Sequence, residues 1–169
     1  MSERTRCIET LGALIGDVQV AMLTTVRADG RLVSRPLRTV TTAMPFLGEL
    51  WFVVRRDSHK AHEVEGDPHV NLAYASPERN TYVSVSGRAR IVDNRAKLDE
   101  LWTPAMELYF AGGRGERDLV LLRVDVDSAQ YWDGPSGWLG LALDVASSLV
   151  TGEPAPLADN QSIDLRQGH

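Results

Sequence analysis

The 169-residue chain is predicted to be mainly β, an antiparallel β-barrel that is closed or nearly closed and carries a few peripheral helices. Short apolar and β-branched segments separated by turn signals indicate strands joined in hairpins. The clearest segment is Thr81–Val92, where small or apolar residues alternate with tyrosine, serine and arginine. This period of two is typical of a sheet buried on one side. The buried side narrows to Gly87 and Ala89, which suits the wall of a tight barrel.

The remaining elements follow from local patterns. Glu3–Ile15 has apolar residues at helical spacing and is predicted to be an amphipathic helix. Strands Val18–Val26 and Leu32–Thr42 are joined by the hairpin signal Ala28-Asp-Gly30. Further along the chain we predict a strand at Leu50–Val54, a short helix after Ser58 through Val64, and strands at His69–Ala75 and Thr81–Val92. These are followed by a helix to Trp102 capped by Asp93 or Asn94, a last long strand at Leu119–Val126 that ends at Tyr131-Trp132, and a second amphipathic helix at Trp138–Leu149. Residues 1–150 are predicted to form one domain, followed by a polar, flexible tail over residues 151–169.

Composition argues against several classes of function. A net charge of −5 disfavours general nucleic-acid binding. The single Cys7 cannot form an intramolecular disulfide and leaves a structural zinc site short of ligands. His59, His62 and His69 span a helix and a strand and are interpreted as surface residues, so no metal site is predicted. No apolar run approaches the ~20 residues of a membrane span and no signal peptide is visible, so a cytoplasmic protein is expected.

The short helix after Ser58 carries its charges in an unfavourable order. Basic residues crowd its start from Arg55 to Lys60, and acidic residues follow from Glu63 to Asp67. A helix N-terminus carries partial positive charge, so acidic residues are favoured there and basic residues at the other end. A bound anion would resolve the conflict, because backbone N–H groups, the Ser58 hydroxyl and the Lys60 ammonium could all face one phosphate. The alternative is a solvated surface helix whose charge order costs roughly a few tenths of a kcal/mol.

Arg35 lies in the second predicted strand, directly before Pro36. Because proline has no N–H, it marks a strand edge, a bulge or a place where something other than a strand approaches. The planar guanidinium group of arginine fits a phosphate through two parallel hydrogen bonds. An exposed arginine without a ligand is the alternative. Together with Ser58 and Lys60, however, Arg35 gives three phosphate-competent groups that flank two adjacent strands.

Four tryptophans offer flat apolar surface, Trp51, Trp102, Trp132 and Trp138. Core packing best explains Trp102, because it shares a helix face with Leu98. Trp132 precedes a turn-rich loop, so contact with a ligand or a second subunit is as good an interpretation as core packing. The chain has no dinucleotide-binding glycine motif, no P-loop and no Gly-x-Ser-x-Gly motif, and no catalytic acid or base is identified.

Six stretches carry a family resemblance: Val33-Ser-Arg-Pro-Leu37, Leu50-Trp-Phe-Val-Val54, Asp57-Ser-His-Lys60, Asp67-Pro-His-Val-Asn-Leu72, Tyr82-Val-Ser-Val-Ser-Gly87 and Tyr131-Trp-Asp-Gly-Pro-Ser-Gly137. In this order, from about Val18 to Gly137, they resemble the pyridoxamine 5′-phosphate oxidase-related superfamily, specifically its general stress protein 26 branch. The resemblance implies an antiparallel split β-barrel of the FMN-binding type. It also implies a homodimer with a flavin at each of two equivalent interface sites.

The resemblance also implies roles for individual positions. Arg35, Ser58 and Lys60 would hold the FMN phosphate. The isoalloxazine ring and its hydrogen-bonding edge would be lined by the backbone of two segments, Ser34, Arg35, Pro36 and Leu37, and Trp51, Phe52, Val53 and Val54. Trp102 and Trp132 would contribute to the wall supplied by the partner subunit.

The expected function is therefore that of a cytoplasmic, homodimeric, flavin-dependent oxidoreductase-like stress protein. A flavin-binding or sensing protein without turnover is one alternative, and FAD or a deazaflavin coenzyme in place of FMN is another. The pyridoxamine-phosphate oxidases themselves end in a segment with arginine and tryptophan that binds substrate phosphate. Here Leu157–His169 has only Arg166 and no tryptophan, so pyridoxal-phosphate synthesis is not expected. Neither nucleic acid nor a membrane is an expected partner, and the sequence does not identify the substrate.

Overall fold

The structure is a computed structural model that describes residues 3–40, 46–133 and 159–165. Antiparallel strands are the main regular element of the described chain, as predicted. The helices are α1 (Glu3–Val18), α2 (His59–Gly66) and α3 (Arg95–Leu101), and the strands are β1 (Val20–Val26), β2 (Leu32–Arg38), β3 (Glu49–Arg55), β4 (His69–Ser76), β5 (Thr81–Val92), β6 (Leu119–Asp133) and β7 (Asp159–Asp164). A 3₁₀ turn at Pro104–Leu108 follows α3.

The strands form one curled sheet in the order β2-β1-β4-β5-β6-β3, with β7 paired to β6. Among the described residues, one bridge joins the chain after β2 to β3, where the Val40 amide donates to the Trp51 carbonyl at 2.8 Å. The sheet is therefore a barrel that remains split between β2 and β3, and the predicted split β-barrel is confirmed.

The first hairpin shows how local sequence fixes register. Gly30 adopts a left-handed φ of 81°, a conformation that glycine takes without steric cost. The Arg27 amide then donates to the Arg31 carbonyl at 2.9 Å, and the register places Arg35 opposite Leu23. The predicted turn at Ala28-Asp-Gly30 is confirmed.

Strand β5 alternates between buried and exposed positions, as its sequence predicts. The register between β5 and β6 shifts between Ser86 and Gly87, which marks a bulge. A Cβ atom at Gly87 would clash with the main-chain oxygen of Asp125 and lie 3.0 Å from Cγ1 of Val124. Glycine at this position therefore allows the two strands to approach closely.

Strand β3 separates two apolar cores, because both of its faces are covered. Phe52 and Val54 point into the larger core, which the barrel strands and α1 enclose. Trp51 and Val53 point the other way, into a smaller core shared with α3 and the 3₁₀ turn. This burial on both sides explains why Leu50–Val54 is a continuous apolar run rather than an alternating one.

The C-terminal segment differs from its prediction. Six residues of the expected flexible tail, Asp159–Asp164, form β7, and Ile163 is buried in the larger core. The strand was not predicted because it is polar apart from Ile163, its one buried apolar residue. The helix predicted at Trp138–Leu149 lies outside the described residues. Among the described residues, no helix is long and apolar enough to cross a membrane.

Candidate functional site

Several of the predicted site residues lie beside the split between β2 and β3. In the described part of the chain, β2 pairs with β1 and β3 with β6, so each strand leaves one edge facing the split. Helix α2 begins four residues after the end of β3, behind the turn at Arg56–Ser58. The split thus brings the middle of β2 near the first turn of α2.

The first turn of α2 confirms the unusual charge order. Helix α2 has no acidic residue in its first turn and no basic residue in its last. Ser58 is its N-cap, but the Ser58 side chain makes no capping bond and instead donates to the Arg55 carbonyl at 2.6 Å. The hydroxyl must therefore rotate away from that carbonyl before it can donate to a ligand.

Arg35 is held by two neighbours on the inner side of β2. Its Nη2 lies 2.8 Å from Oε2 of Glu63, and its Nη1 donates to Oγ1 of Thr25 at 2.9 Å. Thr25 in turn donates to the same Glu63 oxygen at 2.6 Å. Thr25 is fully buried, and only 13% of the Glu63 side chain is exposed. The guanidinium group is thus fixed in orientation, while its remaining N–H donors stay available.

The surroundings of Arg35 shift the pKa values of two side chains, Lys60 and Glu63. Burial lowers the pKa of Lys60, and the nearby positive charge of Arg35 lowers it further, against the opposing effect of Glu63. Burial works to raise the pKa of Glu63, but hydrogen bonds from Thr25 and Arg35 and the charges of Arg35 and Arg27 hold it below its usual value. Arg35 and Lys60 are therefore close enough to influence each other, and the single Glu63 carboxylate does not balance their two positive charges, which favours an additional anion.

An apolar cavity of about 310 Å³ adjoins the C-terminal half of β2. Its floor comes from Pro36, Leu37 and Val53, and its opposite wall comes from the segment after α3. The full lining is Val20, Pro36, Leu37, Arg38, Val40, Val53, Met106, Tyr109 and Phe110. A cavity of this size and apolar character is typical of a small-molecule binding site.

The structure brings some of the predicted residues together and separates others. Arg35 and Lys60 are neighbours, and Pro36, Leu37 and Val53 line the cavity. The Ser34 side chain is on the opposite, exposed face of β2, where it accepts a hydrogen bond from Thr24 at 3.2 Å. Phe52 and Val54 are core residues, so only their main chain faces the split.

The predicted tryptophans lie at or behind the edges of the site. The Trp51 ring is buried beneath two cations, with Lys97 Nζ at 5.7 Å and Arg123 Cζ at 5.4 Å from its centroid. Trp102 packs against Phe110, which lines the cavity, at a centroid distance of 5.9 Å. Trp132 is half-buried on β6, opposite Tyr82. The predicted contact of Trp102 and Trp132 with a partner subunit stays a prediction.

Sequence reasoning missed the residues that surround the predicted ones. Thr25 and Glu63 were not singled out as partners of Arg35, because their contact joins positions 38 residues apart. The three cavity residues after α3, Met106, Tyr109 and Phe110, were also missed. Their signal was the unusually aromatic segment that follows Pro104, although nothing in the sequence tells which strand it covers.

Comparison with known proteins places this geometry in a family. The model of the pyridoxamine 5′-phosphate oxidase-like family matches residues 7–155. The chain belongs to this family.

Individual relatives and solved structures are also similar to the chain. The protein bli-3 of Neurospora crassa is 26% identical over 157 residues, covering 88% of this chain and 75% of the relative. General stress protein 26 of Bacillus subtilis is 32% identical over 73 residues, covering 41% of this chain and 51% of the relative. Among solved structures, the general stress FMN/FAD binding protein of Xanthomonas citri superposes with a TM-score of 0.67 at 26% identity, covering 78% of this chain and 92% of that one.

Proposed function

We propose that this general stress protein 26-like chain binds FMN in the split of its barrel and acts as a flavin-dependent oxidoreductase. The observation that carries the proposal is the joining of two unlike subsites. Arg35 and Lys60 supply two neighbouring cations, and an apolar cavity is lined by Pro36 and Leu37, the two residues that follow Arg35 on β2. A flavin mononucleotide has this same division into an anionic phosphate and a flat apolar ring.

The phosphate half fits the residues around the start of α2. Arg35 is pre-oriented by Thr25 and Glu63 and keeps free N–H donors, so little side-chain entropy is lost on binding. Burial and the charge of Arg35 disfavour the charged form of the half-buried Lys60, and a bound anion would stabilise that form. The first N–H groups of α2 lack acceptors within the helix, and Ser58 can add its hydroxyl after rotation.

The ring half fits the apolar cavity. Pro36 and Leu37 belong to the edge strand β2, whose free main-chain groups can hydrogen-bond the polar edge of a planar ring. Tyr109 and Phe110 supply an aromatic wall on the far side. A bound flavin supplies the redox chemistry itself, by accepting and donating hydride equivalents. The residues of this chain bind it, orient it and keep water from its apolar face.

A flavin-binding protein without turnover is the second candidate, and a feature of the cavity favours it. Of the described residues that line the cavity, none is a carboxylate, an imidazole or a thiol. The cavity therefore offers no group with a pKa suited to proton transfer near neutral pH. Under this alternative the protein would bind and report flavin rather than turn it over.

A homodimer is part of the proposal, and one exposed sheet face supports it. Val20 and Met22 are each 43% exposed, and Tyr82 is 39% exposed, all on the outer face of the sheet. Between them lie small side chains such as Ala73 and Ser84, which make the face flat. A flat, partly apolar face next to the cavity residue Val20 suits a second copy that closes the flavin site.

Identification of the bound ligand tests the proposal directly. Protein purified without added cofactor is denatured, and the released small molecules are identified by mass spectrometry. We expect FMN at up to one equivalent per chain, and reconstituted protein should bind FMN more tightly than riboflavin. Anaerobic NADH or NADPH should then bleach the flavin absorbance near ~450 nm if the protein turns over. Failure to retain or bind any flavin would refute flavin binding, whereas binding without bleaching by either donor would favour the second candidate.

A further inference from the structure

The apolar cavity has one charged side chain among its described lining residues, Arg38. The other lining residues are apolar, apart from the phenol group of Tyr109. Where a binding cavity is mainly apolar, its few polar groups fix the orientation of a ligand and select its chemistry. Arg38 is therefore the side chain of this cavity that is best suited to determine specificity.

Arg38 is separated from the proposed phosphate site by the cavity residues Pro36 and Leu37. These two residues lie between Arg35 and Arg38 on β2, so the two arginines are about 10 Å apart along the strand. Arg35 is on the inner face of β2, whereas Arg38 is exposed on the opposite face. With the FMN phosphate at Arg35 and the ring against Pro36 and Leu37, Arg38 lies beyond the ring and takes no part in phosphate binding.

The positive charge of Arg38 has no acidic partner in the part of the chain that the structure describes. Its Nη2 donates to Oε1 of Gln19, which is a neutral group. A guanidinium group has five N–H donors in a planar arrangement, and two of them can bind one carboxylate through parallel hydrogen bonds. Arg38 is thus held in place and can still bind an anion.

Gln19, which holds Arg38, has an unfavourable backbone conformation. Its φ of 61° lies in the left-handed region, which glycine adopts readily and residues with a side chain adopt rarely. Gln19 directly follows α1, a position where glycine commonly ends a helix. Of the other described non-glycine residues, Asn80 alone has a positive φ, and asparagine tolerates that conformation better. Such strain concentrates at functional sites, and here the strained residue contacts the one cation of the cavity.

We propose that the substrate of the flavin is a planar apolar molecule with a carboxylate group, and that Arg38 binds this carboxylate. The inference rests on the proposed function and names the substrate class of the same site. Tyr109 lines the cavity but is 63% exposed, so its ring can also contact a second planar molecule. A carboxylate fits better than a phosphate, because Arg38 is a single cation, whereas the proposed phosphate site has Arg35, Lys60 and the start of α2. Gln19 is a positioning residue, because it acts through Arg38.

The test uses two probes of the same shape, 2-naphthoate and 2-naphthamide, of which only the first carries a negative charge. Each probe is titrated into protein saturated with FMN, and binding is followed through the change in flavin absorbance. Arg38→Ala removes the cation, Arg38→Lys keeps it, and Gln19→Gly removes the positioning side chain.

Two further variants are matched controls. Arg31→Ala is the charge control, since the exposed Arg31 pairs with Asp29 in the first hairpin and does not line the cavity. Asn80→Gly is the backbone control, since it also places glycine at a left-handed position but lies in the connection between β4 and β5. Both controls should leave the affinities of the two probes unchanged.

Wild-type protein should bind 2-naphthoate more tightly than 2-naphthamide by roughly tenfold or more, the effect of one hydrogen-bonded charge pair. Arg38→Ala should abolish this preference by weakening 2-naphthoate alone, and Arg38→Lys should keep most of it. Gln19→Gly should weaken 2-naphthoate by roughly two- to tenfold, because the ligand must then order the guanidinium group itself. Its melting temperature should stay the same or rise, since glycine relieves the left-handed backbone. A purely structural role for Gln19 would lower the melting temperature and leave 2-naphthoate affinity unchanged.

Three results would overturn the proposal. Failure of wild-type protein to prefer 2-naphthoate, or a preference that survives in Arg38→Ala, would remove the carboxylate substrate and leave the flavin site intact. Dissociation of a dimer in Arg38→Ala, measured by sedimentation, would assign Arg38 to the subunit interface instead. Wild-type protein that cannot be loaded with FMN would overturn the proposed function itself, and the substrate class with it.

Discussion

Arg35 on β2 and Glu63 on α2 form an ion pair of 2.8 Å in which both side chains are largely removed from solvent. The contact ties the helix that begins at the proposed phosphate site to the strand that supplies its arginine. It also partly neutralises one of the two cations of that site. Stability and ligand affinity are therefore linked through the same carboxylate.

Glu63→Gln should destabilise the protein at neutral pH by about 1.5–3 kcal/mol, the usual contribution of a hydrogen bond to a charged group. The folded protein holds the pKa of Glu63 below the ordinary value of 4.5. Its stabilising contribution is therefore complete above that ordinary pKa and is lost as the pH falls through the lower folded pKa. Urea unfolding at pH 7, 5 and 4 should show the gap between wild type and variant narrowing only at the acidic end.

Glu65→Gln is the control for this prediction. Glu65 is exposed on the same helix, and its substitution removes the same charge. Its unfolding free energy should stay within about 0.5 kcal/mol of wild type. If the difference in unfolding free energy between wild type and Glu63→Gln is equally large at pH 4 and pH 7, the glutamine destabilises the protein through poorer packing and not through the lost negative charge.

Lys60 should react faster than Lys97 with an amine-acylating reagent at mildly alkaline pH. These are the two lysines of the chain, so Lys97 is a built-in control. Burial and the charge of Arg35 lower the pKa of Lys60, which leaves more of it as the reactive neutral amine. FMN should protect Lys60 and leave Lys97 unchanged, as followed by peptide mass spectrometry. Riboflavin, which lacks the phosphate, should give little protection, and equal protection by both flavins would remove Lys60 from the phosphate site.

Tyr109→Ala should weaken FMN and riboflavin binding by the same factor, because Tyr109 lines the ring cavity and not the phosphate site. Loss of one aromatic contact of about 0.5–1.5 kcal/mol corresponds to roughly two- to tenfold in affinity. Leu108→Ala is the matched control, since Leu108 is 86% exposed and does not line the cavity. Tyr109 is itself 63% exposed, so the variant should unfold at the wild-type temperature. A loss confined to FMN would contradict this assignment of the cavity to the ring.

Gly87→Ala should destabilise the barrel by about 1–3 kcal/mol, the usual cost of overpacking a tight contact. The added methyl group meets the main chain of Asp125, which cannot move without disturbing the β5–β6 bulge. Gly16→Ala is the control: its Cβ meets nothing within 4 Å on helix α1. That substitution should be neutral or stabilising, by up to about 1 kcal/mol. Thermal unfolding of both variants decides the point, and equal melting temperatures would mean that β5 and β6 separate easily.

The sequence predicted the barrel because strand signals are local. Thr81–Val92 shows its buried face in its own alternation, and the Gly30 turn fixes the first hairpin without help from the rest of the chain. Strand β7 was missed for the opposite reason. Asp159–Asp164 is polar apart from Ile163, and its stability comes from pairing with a strand that is distant in the chain. Tertiary pairing overrides local propensity in such cases.

Sequence patterns identify the charged residues of the candidate site but not the side chains that those residues contact. The reversed charge order of α2 indicated an anion site, and Arg35 and Lys60 do lie together. In the sequence, Glu63 is recognisable only as one of the acidic residues at the end of the helix. Its position beside Arg35 depends on how α2 packs on β1 and β5, and no local pattern encodes that packing.

The last prediction concerns the flat outer face of the sheet. Met22→Glu should dissociate the proposed homodimer, because it would bury a charge at an interface whose apolar members include Val20 and Tyr82. Met22→Leu, which keeps the apolar character, is the matched control. Trp132→Ala, beside Tyr82, should weaken the dimer in the same way.

If the flavin site is completed by the second copy, FMN and assembly stabilise each other, because a ligand that binds only the assembled state shifts the equilibrium toward it. Sedimentation velocity with and without FMN should then show a dimer that FMN tightens, and Met22→Glu and Trp132→Ala should weaken both assembly and FMN binding. The Met22→Leu control should retain both. A monomer that binds one equivalent of FMN, with an affinity independent of protein concentration, would contradict a site shared between two copies. It would leave the cations of β2 and α2 to hold the flavin within a single chain.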